Sequence, residues 1–256
     1  MDINTIKHKI SIITVCYNAE DTIEATILSV IGQTYSNIEF LIIDGASSDN
    51  TLKILERYKD KVSLLVSAHD KGIYDAMNKG ISYASGDFVF FLNSGDKFFD
   101  KDVVLSVVSQ MSESDVVYYG DVFLVPQRLR FGGQYDKYKL AMGNICHQSI
   151  FYPKLVFKKY HYDIKYKLYA DWFLNIQCMS DKDVKFTYLN LVICYYDTTG
   201  LSNRIDDSCF WKDYTKHVVC YLGYETLIYV RVRKFLQKKK KSVLLCLKKL
   251  SSIIRR

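Results

Sequence analysis

The sequence predicts an α/β protein with a doubly wound, mostly parallel sheet and helices on both faces. Short apolar, β-branched runs alternate with segments of helical spacing over the first 125 residues, which is typical of βαβ units. A chain of 256 residues has the length of one such domain plus an appendage. With only 12 Gly and 2 Pro, it leaves little room for disordered linkers.

The first half is predicted to contain five strands separated by helices. Each strand is a short apolar run, and the helices have apolar residues three or four positions apart. The strands are predicted over 9–16, 38–43, 62–66, 88–92 and 115–119, and the helices over 20–33, a segment after 48 or 49, 73–84 and 102–111.

The pattern changes beyond residue 120. We predict a hairpin over 123–131, a strand over 147–152, a helix over 170–179 and a strand over 184–196. These elements predict antiparallel additions that cover one end of the sheet. The domain is expected to span 1–203, and a basic helical tail to span 204–256.

Seven cysteines lie scattered along the chain without a CxxC pair, which disfavours both a disulfide framework and a zinc site. We expect free thiols in a reducing cytosol. The first residues lack the apolar segment of a signal peptide, and no run of about 20 apolar residues occurs. The expected location is therefore cytoplasmic, peripheral at the inner face of the plasma membrane.

The positive charge is concentrated in the tail. Residues 204–256 carry 14 basic and 4 acidic residues, and no acid follows Glu225. Val243, Leu247, Leu250 and Ile254 recur at helical spacing, which predicts an amphipathic helix on an anionic membrane surface. Packing on the domain or on a second subunit is the alternative. We expect no nucleic-acid partner.

Polar residues follow the predicted strands, at the sheet edge where α/β proteins bind ligands. Four such segments are 16–20, 44–49, 67–72 and 93–96. Neither a GxGxxG nor a GxxxxGK[ST] motif is present, so the usual phosphate-binding loops are excluded. A carboxylate-bound divalent cation is the usual substitute, and Asp96 is placed to hold it.

Five segments in register resemble family 2 glycosyltransferases. They are the strand SIITVCYN at 11–18, IIDGASSDNT at 42–51, DKGIYDAMNKG at 70–80, FLNSGD at 91–96 and ADW at 170–172. The match covers 10–203. The residues of the segments at 72–80 and 93–96 resemble most the capsule, colanic-acid and exopolysaccharide branch of the family. The resemblance implies the GT-A fold and a transferase of hexosyltransferase type.

The resemblance implies a role for each matching position. Asp171 would be the catalytic base that deprotonates the acceptor hydroxyl, and Asp96 would hold Mg²⁺ or Mn²⁺ against the diphosphate. Asn93 would bind the ribose or a metal-bound water. The residues implied to bind the nucleotide-sugar donor are Tyr17, Asn18, Asp44 (the base imide), Asp70, Asp75 and Asn78.

The sequence departs from the family at the metal segment, where Asn93 and Gly95 stand in place of common carboxylates. Because Asp96 is the one certain carboxylate of this segment, we expect the free metal to bind weakly and to depend largely on the bound nucleotide-sugar donor. His147 is expected to be a hydrogen-bonded core histidine.

The function implied is inverting transfer from a nucleotide-sugar, UDP-linked, to a glycan or lipid-linked acceptor in cell-surface polysaccharide synthesis. A sugar-nucleotide nucleotidyltransferase and a non-catalytic scaffold of a polysaccharide assembly complex are the alternatives.

Overall fold

A single mixed sheet organises the chain in the computed structural model, which describes residues 8–198 and 207–254, with side chains to residue 240. Its order is β3-β2-β1-β4-β8-β6-β9-β5, with β7 paired to β6. The strands are β1 (Ile10–Cys16), β2 (Ile38–Asp44), β3 (Leu64–Ser67), β4 (Phe88–Phe91), β5 (Lys97–Phe98), β6 (Val116–Val125), β7 (Leu129–Phe131), β8 (Ile150–Pro153) and β9 (Lys185–Asp197).

Helices cover both faces of this sheet, as predicted. They are α1 (Ile23–Ile31), α2 (Thr51–Arg57), α3 (Ile73–Tyr83), α4 (Val103–Val108), α5 (Lys137–Met142), α6 (Val156–Lys159), α7 (Ala170–Ser180), α8 (Ser208–His217) and α9 (Tyr224–Ile254). In β1, Ile13 belongs to the core under α3 and α7, while Ile12 belongs to the core under α1 and α4. This alternation places each strand between two apolar layers.

Strands β1 to β4 are parallel to one another. The chain runs from β1 outwards through β2 to β3 and then returns to place β4 on the other side of β1. The sheet therefore has its switch point between β1 and β4, where a crevice forms at the carboxyl ends of the strands. Strand β8 continues the sheet antiparallel to β4 and β6.

Several predicted elements have different bounds in the structure, and three of them bear on the site and its surroundings. The strand predicted to end at 119 continues to Val125 and forms the expected hairpin with β7. The helix predicted over 102–111 is shorter. The strand predicted over 147–152 begins only at Ile150, because His147–Ser149 form a 3₁₀ turn that brings polar side chains to the crevice.

Helix α9 leaves the domain after packing through Leu227 and Val230. No helix among the described residues is long and apolar enough to span a bilayer. The predicted boundary at 203/204 and the side chains of Val243, Leu247, Leu250 and Ile254 lie outside what the structure describes.

Candidate active site

A tight turn follows β4 and carries the predicted metal segment. The Asp96 backbone N–H donates to the Asn93 carbonyl at 3.0 Å, and Thr26 Oγ1 donates to the Asp96 carbonyl at 2.8 Å. Gly95 has φ +101, a conformation that costs an L side chain free energy. The turn therefore explains why glycine occupies this position instead of a second carboxylate.

The carboxylate of Asp96 is buried beside polar neighbours. Gln148 Nε2 donates to its Oδ2 at 3.0 Å. Burial raises the pKa of Asp96 to about 6, although the hydrogen bonds from Gln148 and from the Asp197 backbone act in the opposite direction. A carboxylate held in this way is stabilised as an anion by an approaching cation.

Asn93 supplies a second oxygen without a partner. Its Oδ1 is buried and accepts no hydrogen bond, whereas its Nδ2 lies 2.9 Å from His147 Nε2. An unpaired amide oxygen and a buried carboxylate on the same four-residue turn match the oxygen ligands that Mg²⁺ and Mn²⁺ prefer. Among the described residues no group of three His, Cys, Asp or Glu could hold a metal. The pair therefore fits a cation that takes further ligands from a bound diphosphate.

Asp171 lies in the first turn of α7 with its carboxylate buried. Its Oδ1 accepts from the Tyr74 hydroxyl at 2.9 Å and from the Trp172 N–H at 2.8 Å. Its Oδ2 lies 3.2 Å from His147 Nδ1. The three contacts fix the direction of the carboxylate.

His147 is hydrogen-bonded as expected, and its two partners belong to the predicted metal segment and to the predicted base. Its side chain is 14% exposed and touches Asn93 through one ring nitrogen and Asp171 through the other. The neighbouring Cys146 is also close to both carboxylates. Burial raises the pKa of its thiol to about 12, and the charges of Asp171 and Asp96 raise it further. The polar pair at 147–148, directly before the buried strand β8, was the sequence signal for these residues.

A second part of the crevice lies over Gly45, at the end of β2. A Cβ at Gly45 would lie 2.7 Å from Asp70 Oδ2 and 3.2 Å from the Tyr17 ring. Tyr17 is 63% exposed, and the Gly72 N–H donates to Asp70 Oδ1 at 2.8 Å. The exposed Tyr17 ring and the Asp70 carboxylate thus both lie against the backbone of Gly45.

Asp44 and Asn18 hold the loops around this pocket. Asp44 is fully buried and accepts hydrogen bonds from the Ser47 N–H (3.0 Å), the Ser47 hydroxyl and the Ser67 hydroxyl (2.6 Å). Asn18 Oδ1 accepts from the Ser48 N–H at 2.9 Å. This placement differs from the expectation that Asp44 meets a base, because its oxygens are used within the loop.

Asp75 and Asn78 also have protein partners. Asp75 accepts from the Lys71 N–H at 3.0 Å and pairs with Lys79 at 3.2 Å. Both ends of the Asn78 amide bond the Tyr162 backbone, at 2.9 and 3.1 Å. Asn78 therefore anchors the segment before α7, and its expected contact with the donor stays a prediction.

The raised pKa of Asp96 predicts a cost in stability. Because the folded pKa of about 6 exceeds the unfolded value of 3.8, the cost is fully present above pH 6 and absent below pH 3.8. Asp96→Asn should therefore raise the free energy of unfolding of metal-free protein at pH 8 by up to about 3 kcal/mol. Denaturant titration in EDTA measures this change.

The same comparison at pH 4 should show most of the gain gone. Asp100→Asn, at an exposed carboxylate four residues later, is the control and should be neutral at both pH values. A destabilised Asp96→Asn protein at pH 8 would contradict the inferred strain at this carboxylate.

The family model for glycosyl transferase family 2 matches residues 11–180. A relative from Mycobacterium bovis, named PGL/p-HBAD biosynthesis glycosyltransferase, is 35% identical over 211 residues, 79% of this chain and 82% of the relative. An Escherichia coli relative is 36% identical over 134 residues, 48% of this chain and 53% of its own length. It is named UDP-Glc:alpha-D-GlcNAc-diphosphoundecaprenol beta-1,3-glucosyltransferase WfgD.

Solved structures share the fold. S. aureus TarS 1-349 in complex with UDP-GlcNAc has a TM-score of 0.69 at 16% identity, covering 87% of this chain and 70% of TarS. The mannosyltransferase PcManGT from Pyrobaculum calidifontis, in complex with GDP-Man and Mn²⁺, has a TM-score of 0.60 at 16% identity, covering 75% and 57%. The family match favours glycosyl transfer over the nucleotidyltransferase and scaffold alternatives. The chain belongs to glycosyl transferase family 2 and is a glycosyltransferase with the GT-A fold.

Proposed function

We propose that the chain transfers a sugar from a UDP-sugar to a lipid-linked saccharide, with inversion at C1, in cell-surface polysaccharide synthesis. The observation that carries the proposal is the placement of Asp171 and Asn93 on opposite sides of His147, with Asp96 next to Asn93 in the same crevice. The names of WfgD and of the TarS complex support the lipid-linked acceptor and the UDP donor.

In this mechanism Asp171 takes the proton of the acceptor hydroxyl as its oxygen attacks C1 of the donor sugar. The new O–C1 bond forms on the face opposite the breaking C1–O bond, whose electron pair leaves with the nucleoside diphosphate. A single displacement inverts the configuration. Tyr74 and Trp172 hold the carboxylate so that the proton is received in one direction.

Asp96 and Asn93 would hold a divalent cation, which offsets negative charge on the departing diphosphate. We assign the base contact to Asp70 instead of Asp44, because Asp70 is partly exposed beside the Tyr17 ring whereas Asp44 is fully buried. Tyr17 gives the base an exposed ring on which to stack. A uracil imide N–H can donate to the Asp70 carboxylate.

A nucleotide panel tests the donor assignment. Asp70→Asn keeps the acceptor for the Gly72 N–H but places an NH₂ where an acceptor faced the base. UDP affinity should fall by about 1–3 kcal/mol, while CDP, whose ring N3 accepts, should gain relative to UDP. Thermal shift or calorimetry with UDP, CDP and GDP measures the change.

Glu56→Gln is the control for this panel, since Glu56 is exposed and pairs with Lys59 on the surface. Equal loss of every nucleotide in Asp70→Asn would place the base elsewhere. If the wild-type protein binds GDP in preference to UDP, the proposal of a UDP-linked donor is wrong.

Helix α9 is the proposed contact with an anionic membrane surface. Its exposed apolar residues recur at spacings of four, three and one, on the side opposite the buried Leu227 and Val230. They are Ile228, Val232, Phe235 and Leu236, each 49–57% exposed. Eleven basic residues and no acid follow Glu225, so two such helices would repel each other. The charge favours anionic lipid over a second copy.

A vesicle experiment tests this contact. The full chain should sediment with phosphatidylglycerol vesicles and not with phosphatidylcholine vesicles. Phe235→Ser with Leu236→Ser should weaken binding at least about tenfold, because each apolar side chain loses its burial in the interface. Leu105→Ser, an exposed apolar position on α4, is the control. Equal sedimentation of all three proteins would reject α9 as the contact.

A further inference from the structure

His147 has a position that a histidine of purely structural role would not need. It lies in the 3₁₀ turn before β8, and its two ring nitrogens contact two different functional side chains. His217 provides the contrast: it is buried, pairs with Tyr166 at 2.6 Å and packs against Phe173 with a centroid distance of 4.1 Å. His217 serves the core, whereas His147 lies between Asn93 and Asp171.

The chemistry of the partners fixes the proton on the ring. An ionised carboxylate only accepts hydrogen bonds, so the 3.2 Å contact with Asp171 Oδ2 requires a proton on Nδ1. The Asn93 atom that faces the other ring nitrogen, Nε2, is Nδ2, which can only donate, so Nε2 is the acceptor of this contact. The partner at 2.9 Å is Asn93, which can supply a donor only through its NH₂.

This assignment of donors and acceptors determines where the Asn93 oxygen points. Because His147 uses the NH₂ group, Oδ1 is the amide atom that remains, and this oxygen is buried without a hydrogen-bond partner. If Nε2 carried the proton instead, the amide would turn and present its NH₂ to the cation. A cation would then meet a donor where it needs a ligand.

We propose that His147 is a positioning residue with two separable effects: its Nδ1–H orients the base Asp171, and its Nε2 orients the Asn93 amide so that Oδ1 faces the cation. The proposal rests on the roles proposed above for these two partners. It makes His147 a link between the cation site and the base, through one side chain.

Two conservative substitutions separate the effects. In His147→Asn the amide nitrogen takes the place of Nδ1, so the donor to Asp171 is kept and the contact with Asn93 is lost. In His147→Gln the longer side chain places an amide oxygen near the position of Nε2, so the acceptor for Asn93 is kept and the donor to Asp171 is lost. Neither change adds charge to the site.

The two readouts are kcat at saturating Mn²⁺ and the Kd of Mn²⁺ in the presence of UDP, measured by electron paramagnetic resonance. His147→Asn should weaken Mn²⁺ binding by about 10- to 100-fold with kcat largely kept. His147→Gln should show the reverse, with kcat lowered about 10- to 100-fold and Mn²⁺ binding largely kept. His147→Ala should lose both.

Thermal unfolding of each variant, with His217→Gln as the control at a core histidine, distinguishes positioning from folding. His217→Gln should lower the melting temperature without separating the two readouts. If His147→Asn and His147→Gln change both readouts together, or change neither, the inference is overturned while the proposed function stands. A wild-type protein that neither binds Mn²⁺ with UDP nor transfers sugar overturns both.

Discussion

Asp171→Asn is expected to lower kcat by at least about 100-fold while nucleotide binding is retained. The asparagine has the shape of the aspartate, and its Oδ1 can still accept from Tyr74 and Trp172. What it lacks is an oxygen that can take up the proton of the acceptor hydroxyl. Steady-state kinetics, together with the thermal shift produced by UDP, separates the loss of turnover from a loss of binding.

The control for this substitution lies at the other end of the same helix. Asp181 follows α7 and pairs with Lys159 at 2.5 Å and with Tyr160 at 2.8 Å, so Asp181→Asn removes a carboxylate outside the crevice. It should leave kcat unchanged. If Asp171 only stabilised the start of α7, asparagine would serve as well. Turnover near that of the wild type in Asp171→Asn would therefore reject it as the base.

Asp96→Ala is expected to reduce transfer by at least about 100-fold, and EDTA should silence the wild-type enzyme. Within the 93–96 turn Asp96 is the single carboxylate, so its removal leaves the Asn93 amide oxygen alone for the cation. Loss of metal stabilisation of the departing diphosphate is worth several kcal/mol, and about 2.7 kcal/mol corresponds to 100-fold. Titration of activity with Mn²⁺ measures the effect.

Asp100→Ala, a change at an exposed carboxylate near β5, should behave as wild type in the same titration. Full activity in EDTA would mean that basic side chains neutralise the diphosphate, and Asp96 would then have no cation to hold. Retention of turnover in Asp96→Ala at high Mn²⁺ would point to another ligand set.

The fold and the crevice could be predicted because they depend on local pattern. The apolar run of β4 followed by polar residues located Asn93 and Asp96, since parallel strands present their carboxyl ends at one edge. The alternation of β1 between two core layers follows from the two-residue period of a strand. Both the two-residue period of a strand and the position of polar residues after it can be seen in the sequence itself.

The partners of individual side chains could not be predicted in the same way. Asn78 bonds the backbone of Tyr162, 84 residues later, and no local signal marks that pairing. His147 meets Asn93 and Asp171 because β8 lies beside β4 and brings its preceding turn over the crevice. The placement of β8 beside β4 depends on the strand order of the whole sheet. The protein partners of Asp44 and Asn78 were not predicted for this reason, and neither was the proximity of Asp70 and Tyr17 at Gly45.

Sugar transfer itself tests the central claim most directly. Purified full-length chain is incubated with Mn²⁺, a panel of UDP-sugars and a diphosphoundecaprenol-linked saccharide, and the lipid product is read by mass spectrometry. The account predicts one UDP-sugar whose hexose mass is added to the acceptor, with the opposite anomeric configuration, and no product from Asp171→Asn or Asp96→Ala. Transfer with retained configuration, or undiminished product from both variants, would contradict it.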